Sequence, residues 1–393
     1  MTYKKPFPIT EYQRRVQLVK ERMQHAGFDL LISQDPANLT WLTGFDGWSF
    51  YTPQAVLVHL DESVPIWFGR AQDARSAHIT TDLPATNIVA YSESLVHHPE
   101  LHPYDELCDL VKARGWGRAT IGVELDAHYY TARAHQHLQQ GLSDAVISDN
   151  HGLVNWARLI KSDAEITYMR EAGEIVTATM NKAIERLRPG VKEFELAADV
   201  YHAQVTGVGN IFGDYTSLCP LIQVDEGTST PHLTWTDSPI PEKGLVSMEI
   251  AAARHHYHAP LTRTMSMGKP SADILKLVDV IIEGGDLALD IAKPGVTCEA
   301  VEAIWQQTLK KYGYSKESRV GYSIGLNFPP DWGERTASLR PADTTELQAG
   351  MCFHFQAGMW LENYGAAVSE PFVVTENGGE RLSHVARELI VID

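Results

Sequence analysis

Arg188-Pro189-Gly190-Val191 and Lys293-Pro294-Gly295-Val296 are one phrase written twice, 105 residues apart. Proline and glycine together commonly end a helix, because proline cannot extend the hydrogen-bond ladder and glycine accepts the left-handed backbone that closes it. The surroundings of the two copies match as well. Before the first, Ser162 and Glu165 have the spacing of a capping box. Ile166, Met169, Gly173, Val176, Met180, Ala183 and Leu187 then recur on one helical face, and a second helix starts at Glu193. Before the second copy a helix starts near Ser271, and after it Glu299, Val301, Ile304 and Leu309 mark the next. Each helix pair leads into β-rich sequence. Internal duplication is the economical explanation, and chance repetition of a common turn is the alternative. Duplication predicts two α/β halves about a pseudo-twofold axis, with a site between their sheets.

Upstream, Thr10 and Gln13 have capping-box spacing, Val16, Val19, Met23 and Ala26 recur at helical spacing, and Gly27 stops the helix. Strand-like runs follow at residues 28–32, 54–58, 64–68, 87–91 and 120–124, with helices between them, for example from Tyr104 to Arg114. The expected organisation is a small α/β domain over residues 1–160 and the duplicated α/β unit over 161–393.

Composition narrows the class. With 393 residues the chain can bury a large core, and Lys+Arg 33 against Asp+Glu 50 gives a net charge of −17. That balance disfavours nucleic acid and anionic membranes as partners. Met1 to Thr10 carries no apolar leader, and no stretch reaches the ~20 apolar residues of a membrane span. Cys108, Cys219, Cys298 and Cys352 have no CxxC spacing, which suits buried free thiols in a reducing cytoplasm.

The chemistry-bearing residues gather in the C-terminal half. Residues 245–264 read as a hairpin whose first strand is apolar except for Glu249. A carboxylate there needs a partner such as Arg263, or else a function. At strand spacing His256 and His258 would share a face and invite a zinc reading, but few further ligands lie nearby, so a solvated or hydrogen-bonded histidine pair is expected instead. His232 sits in a loop between Gly-rich and Pro-rich turns. His354 and Glu370 lie in, and open, apolar strands. No Walker-type or GxGxxG motif is present.

On these residues, and on the Gly321-Tyr322-Ser323-Ile324-Gly325 element, the whole chain resembles the creatinase / aminopeptidase P family of pita-bread proteins. The resemblance implies a creatinase-type N-terminal domain followed by a duplicated catalytic domain. Metal-dependent members hold two metal ions with two Asp, one His and two Glu. The resemblance puts Glu249, Pro260, Tyr322, Gln356 and Glu370 at those positions, so the metal site is expected to be lost, with no cofactor in its place. It matches His232 to the family's catalytic loop histidine.

Longer strings resemble the branch of this family that hydrolyses ectoine: residues 38–51, 231–235, 257–264 and 321–336. The match loosens at residues 364–369, where that branch carries a further acid. Resemblance to this branch implies a metal-independent hydrolase that opens a cyclic amidine. It implies catalytic roles for His232, Glu249 and Glu370, with Glu370 pairing with the cationic ring and Glu249 acting as base or nucleophile. By the same resemblance Trp48, Phe50, Tyr51, His258, Tyr322, Trp332, His354 and Gln356 would line the substrate, and the protein would be a homodimer. A creatinase-like hydrolase of another small C–N zwitterion is the alternative. A non-catalytic pita-bread binding protein is the alternative of another class.

Overall fold

The computed structural model describes residues 3–393; Met1 and Thr2, the first of the ten residues read for an apolar leader, lie outside them. The chain divides into two compact units, Met1–Arg158 and Leu159–Asp393. In the first, a six-stranded mixed sheet runs in the order 88–91, 66–70, 55–59, 30–33, 120–123, 146–149. Alternation along Leu30–Ser33 feeds two cores. Leu30 and Ile32 pack with Tyr104, Leu107 and Val111 on one face, and Leu31 packs with Val19, Met23 and Trp41 on the other. The edge strand Val146–Asp149 is absent from the expected strands; its alternating exposed and half-covered residues give little apolar signal.

Helix Ile9–Ala26 ends as expected at Gly27, whose φ of 77° lets its amide donate back to Gln24 and Met23. It does not begin as expected. Pro8 is the extended residue before the first turn, so Thr10 lies inside the helix and no side chain caps it.

In the second unit, Ser162 accepts the Glu165 amide while the Glu165 carboxylate accepts the Ser162 amide, which closes the expected capping box on helix Asp163–Arg186. Its buried face carries Ile166, Met169, Gly173, Val176, Met180 and Ala183. Gly173 is required there: a Cβ would collide with the Leu382 carbonyl.

The duplication is visible in hydrogen bonds. Gly190 and Gly295 have φ of 84° and 85°. Gly190 N–H donates to Ile240 O, and Ile240 N–H to Val191 O; Gly295 N–H donates to Leu347 O, and Leu347 N–H to Val296 O. Helix pair 163–186 and 193–206 belongs to a sheet ordered 390–392, 257–267, 244–254, 221–224. Helix pair 272–291 and 298–311 belongs to a sheet ordered 333–339, 321–324, 352–355, 370–375, 378–381. In the long hairpin Gly244–Met267, Arg254 pairs with Tyr257 and leaves His255-His256 as a two-residue turn, both with positive φ as a tight hairpin turn of this kind demands. Among the described residues no helix is long and apolar enough to cross a membrane. All four cysteines are free; three are buried and Cys219 is half-buried.

Candidate active site

Strand register decides which side chains converge. Across the long hairpin Glu249 faces Thr262, so Glu249, Thr262, Pro260 and His258 share one face of the first sheet. In the second sheet Tyr322 faces His354, and Gln356 lies two residues further on the same face. The two faces are tied together. Thr262 N–H donates to Ser369 Oγ at 2.7 Å, and Ser369 N–H returns to Thr262 O at 3.1 Å. Thr262 Oγ1 donates to Gln356 Oε1 at 3.3 Å, and Gln356 Nε2 donates to Glu249 Oε2 at 3.1 Å.

Glu249 is 6 % exposed. Burial pushes its carboxyl up to about 7, opposed by the Gln356 hydrogen bond and, more remotely, by the Lys316 charge. A carboxyl with one amide donor and no contacting cation titrates where a general base or nucleophile is useful.

A second network orders the neighbouring wall. Trp332 Nε1–H can only donate, and it donates to the Tyr322 oxygen at 2.7 Å. The Tyr322 hydroxyl therefore donates to His354 Nδ1 at 2.9 Å, and His354 Nε2–H donates to Ser369 Oγ at 2.7 Å. Burial keeps Tyr322 protonated, well above the usual phenol range, and pushes His354 down to about 3. His258 is likewise neutral. The Ser217 amide donates to its Nε2 at 2.9 Å, so its Nδ1–H donates to His256 O at 2.8 Å, and burial lowers it to about 3. Both ring nitrogens of His258 are thus spent on this chain's own groups; His256 lies in the hairpin turn with positive φ, so the two buried histidines do not share a strand face as expected.

Glu370 is placed otherwise than expected. It pairs with Phe355 across the strands, so it points to the face opposite His354 and Gln356. There Arg263 donates to it at 2.6 Å, Ser383 Oγ–H donates to its other oxygen, and Arg387 lies 3.5 Å away. With both oxygens committed and no exposure, Glu370 is a structural ion pair, and the residue that turns into the site is Ser369. The expected acid is one position out, and one position reverses the face of a strand.

His232 is exposed. Its loop is nevertheless held on both sides, because Gln223 Nε2 donates to Pro231 O at 3.1 Å and to Leu233 O at 2.8 Å. Gln223 stands two residues along its strand from Leu221, the neighbour of Glu249. Trp48, Phe50 and Tyr51 belong to the other unit. Trp48 and Tyr51 are 57 % and 58 % exposed, Trp48 packs on Phe50 at 4.7 Å, and Arg70 donates to the Tyr51 hydroxyl at 3.2 Å.

Sequence inspection misses Lys316, Thr262, Ser369 and Gln223. Lys316 Nζ donates to Gln356 O at 3.0 Å and lies 4.8 Å from the Trp360 ring centroid. Desolvation lowers it to about 7, against the pull of Glu249. Hairpin register could have pointed to Thr262, since it faces Glu249. Nothing in the polar run of residues 314–318 distinguishes Lys316 from a surface lysine.

The donor set does not suit the paired metal ions of the family's metal-dependent members. Pro260 has no donor and Tyr322 is held as a neutral phenol. The nitrogen, not the oxygen, of the Gln356 amide faces Glu249. Both His354 nitrogens are engaged. Among the described residues no three His, Cys, Asp or Glu side chains converge as ligands would.

A mixed α/β domain followed in the chain by two duplicated α/β halves defines a creatinase-type pita-bread protein. Residues 167–376 match Metallopeptidase family M24 and residues 15–160 match the Creatinase/Prolidase N-terminal domain; the chain belongs to this family of hydrolases. It is 40% identical to the ectoine hydrolase of Halomonas elongata over 393 residues, 98% of each chain. An uncharacterized hydrolase/peptidase of Sinorhizobium fredii is 43% identical over 387 residues, 98% of this chain and 99% of that one. The solved prolidase of Thermococcus sibiricus superposes with a TM-score of 0.84 at 20% identity, over 97% of this chain and 99% of that one, a likeness of fold alone.

Proposed function

We propose that the protein hydrolyses the cyclic amidine of ectoine to N-acetylated 2,4-diaminobutyrate without a bound metal. The observation that carries this is Glu249: a buried carboxyl near 7, hydrogen-bonded by an amide at a position where metal-dependent relatives need an anionic ligand. The likeness to the Halomonas enzyme supplies the substrate.

In the reaction one water adds to the amidine carbon and one ring C–N bond breaks. Glu249 is drawn into its carboxylate form by the cationic ring, which sits against it. It then attacks that carbon or takes a proton from the attacking water. His232 delivers a proton to the departing nitrogen. Tyr322, Trp332 and His354 form a neutral wall with fixed donors, and Gln356 holds the Glu249 carboxyl in register. The aromatic side chains of Trp48, Phe50 and Tyr51 suit a delocalised cation. Glu370 does not touch substrate; it positions Ser369 and Thr262, because Arg263 also donates to the carbonyls of both. The working form is a cytoplasmic homodimer, as the family resemblance implies.

Ectoine turnover followed by proton NMR tests this, with hydroxyectoine and creatine alongside. The expected result is conversion of the ring methyl resonance to that of an acetamide. Ectoine left intact by folded protein, with creatine consumed, would replace the substrate.

A further inference from the structure

Lys316 is the charged group of this site that the proposed mechanism leaves idle. It follows helix Cys298–Lys311 in a polar loop, yet its ammonium turns inward. One N–H donates to the main-chain oxygen of Gln356, and the ammonium rests on the Trp360 ring. The Gln356 side chain holds Glu249. Lys316 and Glu249 are thus attached to two ends of one residue. Each perturbs the other through space, but no ion pair joins them.

An ammonium has three N–H donors, and a π face is a weaker partner than an oxygen. The two N–H groups not bonded to Gln356 are suited to an oxyanion, which would also offset the desolvation of the charge. Arg319 is the competing cation nearby. It is exposed, donates to Ser338 Oγ at 3.1 Å and sits over the Tyr322 ring, 4.4 Å from its centroid, so its charge is solvated and its orientation fixed. Glu249 would repel a phosphate dianion more strongly than a monovalent carboxylate.

We infer that Lys316 is the anion subsite of this centre, gripping the carboxylate of a zwitterionic substrate whose cationic ring faces Glu249. The zwitterion then lies along the site's own charge axis, cation to Glu249 and carboxylate to Lys316. The identity of the ring rests on the proposed ectoine hydrolysis; the carboxylate grip does not.

The experiment compares wild type with Lys316→Met and Lys316→Arg. Each is given ectoine and the same ring without its carboxylate, 2-methyl-1,4,5,6-tetrahydropyrimidine. Removing a charge-assisted hydrogen bond should narrow the preference for ectoine over the bare ring by roughly 10- to 100-fold in Lys316→Met. Lys316→Arg should recover part of it, and thermal melts should show all three folded. A preference that stays as wide as in wild type overturns the inference, as does an equal loss on both ligands. If wild type ignores ectoine, the proposed function fails, and the subsite is then judged on acetate alone by saturation-transfer NMR. Acetate should contact wild type and not Lys316→Met; equal contact with both overturns the inference.

Discussion

Glu249 and Glu370 are both buried carboxylates, one on a strand of each sheet, and they do opposite jobs. Burial pushes both upward in pKa. At Glu370 a guanidinium answers one oxygen and a hydroxyl the other, so the charge is locked in place. At Glu249 the answer is one amide, with the nearest ammonium held beyond contact. A fixed cation makes a buried acid part of the scaffold. Its absence leaves the acid free to change protonation and to meet a cationic ligand.

Exchanging each acid for its amide should separate the two regions most strongly. Glu249→Gln should lower kcat toward the upper end of the roughly 10²–10⁴-fold range of acid–base groups. It should also stabilise the fold. Because the folded-state pKa lies above the unfolded value of 4.5, wild type loses stability as pH rises from 4.5 to about 7. Above that window the amide variant should be more stable by up to about 3 kcal/mol, read from denaturant midpoints. Activity lost with stability gained is the signature of a functional strain.

His232→Ala comes next. As the proton donor it should contribute roughly 10²–10⁴-fold to kcat with little change in melting temperature, since the side chain is exposed. Near-full activity would reduce His232 to a loop residue. Glu370→Gln should do the reverse. Leaving Arg263 buried without its anion should cost about 3–5 kcal/mol of stability, while the folded fraction keeps kcat within about tenfold of wild type. A selective collapse of kcat in a stable Glu370→Gln protein would dissolve the distinction between the two acids. The smallest expected effect is that of exhaustive chelation: turnover unchanged, with elemental analysis finding no stoichiometric metal.

How much of this the sequence discloses depends on whether a local pattern carries the information. The duplicated Pro-Gly-Val turns and the Ser162–Glu165 box are short-range signals, and they give the helix pairs directly. Thr10 and Gln13 show the same spacing without the same outcome, because Pro8 already sets the chain entering the helix. Glu249 is legible as an acid in an apolar strand. Glu370 looks equivalent, and its face is decided only by pairing with Phe355, a partner fifteen residues earlier in the chain. Lys316 cannot be found from sequence, because a loop lysine is drawn inward by a carbonyl and an aromatic ring that sequence does not place beside it.

The central claim is that Glu249 is the poised acid of this centre. Carbon-13 NMR of glutamate carboxyls, recorded as the difference between wild type and Glu249→Gln, measures it directly. A single resonance absent from the variant should titrate with a midpoint near 7 in the free protein. A Glu249 midpoint at or below the ordinary 4.5 would contradict it.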